Sequence, residues 1–160
     1  MKQNIYWTLL LIIFTTHISS AKENIKYEMY LNGAAEYQLL YPKGILYPQG
    51  ESGNHMGQVF KSANMDAILY TFGRGNPNDL LIDYLYYEAL NPDDKNERVF
   101  TYKRMGDNWF VVSGFHKNKI FYMKSFISNN GLIKTIRFRY DKSKAKLYNK
   151  ITTKIAKSFK

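Results

Sequence analysis

The segment RVFTYKRMGDNWFVVSGFHKNKIFYMKSFISNNGLIKTIRFRY, residues 98–140, decides the fold. Four runs rich in aromatic and β-branched residues, at 98–105, 109–115, 119–127 and 132–140, are separated by GDN, HKN and SNNG. Period-two alternation broken at short intervals by turn formers describes a four-stranded antiparallel meander. Within it Ser113 stands beside Gly114 and three positions before His116, the residue types of a nucleophile and its base. Residues three apart on one strand point to opposite faces, so the two cannot meet locally. The G-x-S-x-G elbow also fails, because Val111 occupies the place of its first glycine. Ser113 and Gly114 therefore read as small residues of a packed strand where a helix crosses closely, and His116 as part of the hairpin turn.

Register carries the reading further. A two-residue turn at Asn130-Gly131 would set Ile127 opposite Lys134, Met123 opposite Phe138 and Phe121 opposite Tyr140. One face then holds Phe121, Met123, Ile127, Ile136, Phe138 and Tyr140, joined by Phe110 and Val112, and is core. The other carries Trp109, Val111, Tyr122, Lys124, Phe126, Arg137 and Arg139, with Lys124 directly across from Arg137. Like charges placed across a sheet are unfavourable unless an anion relieves them. Trp109, Tyr122, Lys124, Arg137 and Arg139 are therefore candidate binding residues of a basic aromatic sheet face. The competing reading covers this face with a helix whose Asp79, Asp83 and Glu88 neutralise it internally.

Upstream, EYQLLYP reads as a strand that Pro42 ends, and KGILYPQGESGNHMG, residues 43–57, as a long loop. QVFKSANMDAILYTFG, residues 58–73, is a hairpin around SANMD, and GRG at 73–75 is a turn. Asn76 as cap and Pro77 at a first helical position open a helix expected over 78–90, with Leu81, Tyr84, Leu85 and Ala89 or Glu88 along one side. The chain closes on a second helix, capped by Asp141 or Ser143. Its apolar stripe is Leu147, Tyr148, Ile151, Ile155 and Phe159, with Lys146, Lys150, Lys154 and Lys157 opposite. The fold class is α+β: an antiparallel sheet of about seven strands, ordered as hairpin, helix, four-stranded meander and C-terminal helix, with helices packed on the sheet.

Residues 1–21 place Lys2 before a short apolar run and end on small residues at Ser19 and Ala21, the pattern of a cleavable secretory signal peptide. The run is too short to span a bilayer, so no transmembrane span is expected after cleavage. The mature chain would begin at Lys22 and be periplasmic or secreted. Residues 22–35 lack a clear period and read as a lead-in, in part disordered, ahead of a single domain at 36–160. With no cysteine, its stability has to come from packing, for which 14 tyrosines and 10 phenylalanines are available. Without the leader the side chains keep 22 basic and 13 acidic groups, a net +9 that favours acidic partners.

Chemical motifs are sparse. Glu51, Ser52 and His55 share a Gly-rich loop and form the one candidate set for a small hydrolase, with nothing to fix their geometry. His55 and this loop are equally a candidate ligand contact. NPDDKNE, residues 91–97, lacks the order of a calcium loop and reads as a solvated connection. No catalytic motif, cofactor signature or metal cluster is present in the sequence, and oligomeric state is not legible.

YPQGES, GQVFKSANMDAILYTFG, WFVVSG, KIFYMKSF and the closing IAKSF, in this element order, resemble small exported bacterial proteins with a PsbP-like fold. The resemblance spans about residues 36–160 and implies an antiparallel sheet with helices on both sides. Members of that superfamily bind other proteins or assist assembly, and no catalytic residues carry over. The expected function is that of a non-catalytic binding or accessory protein whose partner is another protein or an acidic ligand in the cell envelope. An exported chain meets little nucleic acid, so nucleic acid is set aside.

Overall fold

The computed structural model of the chain describes residues 24–160, so the leader expected at 1–21 lies outside the described residues. Strands β1 (Tyr27–Asn32) and β2 (Tyr37–Pro42) pair antiparallel as a separate two-stranded sheet. The segment 22–35, expected as lead-in, thus supplies a strand. Its order comes from ladder pairing and from Asn32, which is buried and donates to the His55 carbonyl at 2.8 Å while accepting from the Ala35 N–H at 2.8 Å. Neither contact leaves a hydrophobic period.

Next come β3 (Tyr47–Glu51), β4 (Gly57–Lys61) and β5 (Ala67–Arg74), then α1 (Ile82–Leu90), β6 (Arg98–Met105), β7 (Trp109–His116), β8 (Lys119–Ile127), β9 (Ile133–Asp141) and α2 (Ala145–Ser158). β3 falls inside the expected long loop. It is an edge strand exposed at every residue, so no apolar alternation marks it. Gly73 and Arg74, expected as a turn, end β5 instead, and Gly73 passes so close to Ala35 that an added Cβ would lie 2.4 Å from the alanine's. The main sheet has seven antiparallel strands in the order β3-β4-β5-β9-β8-β7-β6.

The β8–β9 connection corrects the expected register. Ile127 pairs with Ile133, Met123 with Arg137 and Phe121 with Arg139, one residue away from the two-residue turn. The Gly131 N–H donates to the Ser128 carbonyl and the Ser128 N–H to the Leu132 carbonyl, both at 2.9 Å, with Gly131 at φ 77°. This is a three-residue loop in which glycine fills the left-handed position that ends a type I turn. A slip of one residue moves a whole strand's side chains to the other face. Ile136, Phe138 and Tyr140 therefore share a face with Tyr122 and Lys124, whereas Arg137 and Arg139 share one with Phe121 and Met123.

Both faces are covered, each by different elements. On one, α2 and the β1–β2 hairpin bury Leu39, Phe60, Leu69, Ile136, Phe138 and Ile151 together. On the other, α1 sets Ile82 and Leu85 against Phe110, Val112 and Ile133. Each fully buried large side chain is worth roughly 1.5–3 kcal/mol of transfer free energy. Helix α1 starts four residues later than expected, because the Asn76 side chain engages both backbone groups of Leu80, holding a turn ahead of the helix. Its buried side follows Ile82 and Leu85, leaving Leu81 and Tyr84 exposed. In α2 the expected stripe is buried at Tyr148, Ile151, Ile155 and Phe159, but neither Asp141 nor Ser143 caps it; a 3-10 turn, Lys142–Lys144, leads in. Close approach at Gly114 comes from β6, not from a helix: an added Cβ would lie 1.9 Å from the Val99 carbonyl oxygen, beside the bulge between Phe100 and Tyr102.

Candidate functional site

Helix α2 packs on β2, β9 and the near side of β8, and leaves the strands beyond β8 open on its face. A cleft of about 890 Å³ remains between α2 and β6–β8. Sheet alternation aims Trp109, Val111, Ser113 and Phe115 of β7, and Ile120, Tyr122, Lys124 and Phe126 of β8, to this side. From α2 the opposite wall is built by Asn149, Thr152, Thr153 and Ala156, which recur at helical spacing between the apolar stripe and the lysines. Tyr102 and Trp109 stand at the mouth, 51% and 36% exposed. Lys124, Lys157 and Lys160 are in the lining, and among the described residues no aspartate or glutamate is.

Lys124 is half-buried, and its Nζ donates to the Ala156 carbonyl at 2.9 Å and the Phe159 carbonyl at 3.2 Å. Positive charge there meets the negative end of the helix dipole and closes the Ala156 carbonyl of the last turn and that of the C-cap, Phe159. Desolvation holds its ammonium below the ordinary lysine range. Burial pushes the neighbouring Tyr122 phenol up to about 12, so it stays neutral as an aromatic wall. Ser113 donates its hydroxyl to the Phe121 carbonyl at 2.9 Å, and His116 sits on the other face beside Glu97 at 3.1 Å, closing the last pair of β7 with β8. Ser113 and His116 are thus apart, as strand geometry requires.

Of the six candidate binding residues, the structure brings Trp109, Tyr122 and Lys124 together in the cleft. Arg137 and Arg139 lie on the α1 face, so the five side chains do not form one surface and Lys124 faces Ile136, not Arg137. His55 lies far from both, on the β3–β4 connection. Its Nδ1 is 3.3 Å from Glu51 Oε2 with 74% of the side chain exposed, while Glu51 Oε1 accepts from Tyr30 at 2.9 Å. Ser52 gives its hydroxyl to Asn54 at 2.7 Å, and its contact with His55 is through the backbone, the His55 N–H donating to the Ser52 carbonyl at 2.8 Å. The hydroxyl and the imidazole are not joined as nucleophile and base. Two of the three acids of 91–97 are engaged in ion pairs, Asp94 with Arg98 at 2.6 Å and Glu97 with Lys117 at 2.9 Å. Among the described residues no three His, Asp or Glu side chains converge to hold a metal, and no helix is long and apolar enough to cross a membrane.

Sequence reasoning missed Tyr102, Phe115, Ile120 and the α2 wall. The small and polar residues at 149, 152, 153 and 156 were the available signal, a second stripe on a helix whose first stripe is apolar.

No family model and no curated protein matches the sequence. Solved structures do match. The solution structure of cyanobacterial PsbP (CyanoP) from Synechocystis sp. PCC 6803 superposes with a TM-score of 0.60 at 17% identity, covering 89% of this chain and 96% of that one. The Ran-binding protein Mog1p of Saccharomyces cerevisiae superposes with a TM-score of 0.59 at 6% identity, covering 86% of this chain and 96% of that one. At these identities the likeness is one of architecture, and the architecture of this chain is the PsbP-like fold.

Proposed function

We propose that this protein is an exported, non-catalytic binding protein that grips an acidic, apolar segment of another protein in the cleft between α2 and β6–β8. The observation that carries the proposal is the composition of the lining: aromatic walls, three lysines and, among the described residues, no aspartate or glutamate. Tyrosine and tryptophan offer large contact area at low entropic cost and dominate binding hot spots. Complementary charge supplies specificity and encounter rate, and the lining asks for acid. Tyr102 and Trp109 keep the cleft open at the mouth, which suits a protruding segment of chain more than an enclosed small molecule. A protein of the same fold named for binding Ran adds support to a protein partner. The export component rests on the leader read at 1–21.

Trp109 provides the test. The chain's other tryptophan, Trp7, falls in the expected leader, so in protein starting at Lys22 the emission reports on the cleft alone. Peptides selected from a random displayed library should pair Asp or Glu with aromatic or aliphatic residues and shift the Trp109 emission on titration. Trp109→Ala should weaken their binding by about tenfold or more, in the range of a hot-spot truncation, without moving the melting temperature. The proposal is overturned if selection returns no acidic peptide, if the variant binds as well as wild type, or if a single-chain fatty acid saturates the cleft while peptides do not.

A further inference from the structure

On the α1 face a second concavity of about 370 Å³ lies between the end of α1, β5, β9 and β8. Its floor is aromatic, with Tyr70, Phe72 and Phe121. Around it stand Arg98, Arg137 and Arg139. Alternation along β9 puts Arg137 and Arg139 side by side on this face, opposite Met123 and Phe121 of β8 and opposite Tyr70 and Ile68 of β5. The Arg98 guanidinium lies 5.2 Å from the Phe121 centroid and the Arg137 guanidinium 5.4 Å from that of Phe72, so both forks are oriented by stacking on the floor.

These charges are not neutralised from within. Helix α1 offers Asp83 and Glu88, and the turn before it Asp79, yet among the described residues none forms an ion pair with Arg137 or Arg139. Arg98 alone has a partner, Asp94, through two hydrogen bonds of 2.6 and 2.9 Å. Glu88 reaches the rim. Desolvation, together with the charges of Arg98 and Arg74, holds the Arg137 guanidinium below the ordinary arginine range. Three guanidinium groups stand against two carboxylates, Glu88 at the rim and Asp94 on Arg98, which leaves a net +1 carried by the unpaired Arg137 and Arg139. A phosphate monoester carries about −1.5 to −2 near neutral pH and offers three acceptor oxygens to such forks.

We propose that this pocket binds an aryl phosphate, its phosphate held by the forks of Arg137 and Arg139 with Arg98 beside them and its ring seated on Phe72 and Phe121. The volume suits a small molecule or one phosphorylated side chain. Both sources present the same group. The site is separate from the α2-side cleft, since the sheet stands between them.

The test is calorimetric titration of the chain starting at Lys22 with phenyl phosphate, inorganic phosphate, benzoate and a phosphotyrosine peptide. Phenyl phosphate should bind at least about tenfold more tightly than inorganic phosphate or benzoate, and weaken as salt rises, because exposed charges are screened over about 8 Å at physiological ionic strength. A peptide that binds more tightly still identifies a phosphorylated protein as the source, and one that binds more weakly identifies a free small molecule. Arg137→Ala with Arg139→Ala should remove the binding with an unchanged melt, and Trp109→Ala should leave it intact. Should the double alanine variant fail to fold, Arg137→Lys with Arg139→Lys keeps the charge and loses the fork, and should weaken phenyl phosphate alone. Equal binding by wild type and the lysine variant, or no saturable binding of phenyl phosphate at millimolar concentration, overturns the proposal.

Discussion

Phe138→Ala tests the register and the core together. Phe138 is 1% exposed, between the Tyr140 ring at 4.9 Å and the Tyr148 ring at 5.8 Å, the latter edge-on. Truncating a fully buried phenylalanine costs about 3–5 kcal/mol, depending on how far the site collapses. Here collapse is resisted. Tyr148 is tied by its hydroxyl to Asp66 at 2.6 Å and Tyr140 to Asn149 at 2.7 Å, so neither ring can swing into the vacated space without breaking a hydrogen bond. The loss of two aromatic pairs, each worth about 0.5–1.5 kcal/mol beyond area, acts in the same direction. We expect the upper half of the range, about 4–5 kcal/mol. Arg137→Ala, one residue away on the other face, should cost less than about 1 kcal/mol, as a solvent-facing change without a partner usually does. Urea melts at pH 7 with a common m-value give both numbers. A cost below 1 kcal/mol for Phe138→Ala, or above 2 kcal/mol for Arg137→Ala, would mean that β9 presents its sides the other way round.

Two further outcomes are expected. Burial raises the Asp66 carboxyl, but hydrogen bonds from Tyr148, Ser62 and Asn64 and the charge of Lys144 outweigh it and leave it below the ordinary carboxylate value. A folded value below the unfolded one means stability that is present above about pH 4 and lost as pH falls through the folded value. Asp66→Asn should therefore cost about 1–3 kcal/mol at pH 7 and shrink the stability difference between pH 7 and pH 3; urea melts that show the wild-type pH difference in the variant count against this account. Protein recovered from an envelope fraction should start at Lys22, and N-terminal sequencing that returns Met1 would remove the basis for export.

How much of this was legible follows from what each element uses to hold itself. The meander was legible because its strands alternate large apolar side chains, and the β4–β5 hairpin for the same reason. β1 and β3 were not, since both are held by backbone pairing at exposed edges and carry almost no apolar period. The start of α1 was hidden because Asn76 spends its side chain on Leu80 in a turn ahead of the helix. Register was the costliest miss. Asn-Gly supports a two-residue loop and also ends a three-residue one, and only the bonds around Ser128 distinguish them. One residue decides whether Trp109, Tyr122, Lys124, Arg137 and Arg139 form one surface or two.

The repulsion that motivated a binding face changes meaning in the observed register. Lys124 does not face Arg137; it faces Ile136 and Val111, and its ammonium is satisfied by the last carbonyls of α2. Its charge is therefore spent on the fold, and the positive potential available to a partner in the cleft comes chiefly from Lys157 and Lys160 at the rim. Removing Lys124 would leave the carbonyls of Ala156 and of the C-cap Phe159 without that donor and loosen the helix end that walls the cleft, so a Lys124 variant that lost binding could not separate recognition from structure. Trp109 has no such second duty. On the other face the logic reverses: among the described residues Arg137 and Arg139 have no carboxylate partner, and nothing in the ladder requires their charge. A charge that holds nothing together is the one whose loss reads out recognition. The arginine pair is consequently the cleaner probe of the α1-side pocket, and Trp109 the cleaner probe of the cleft.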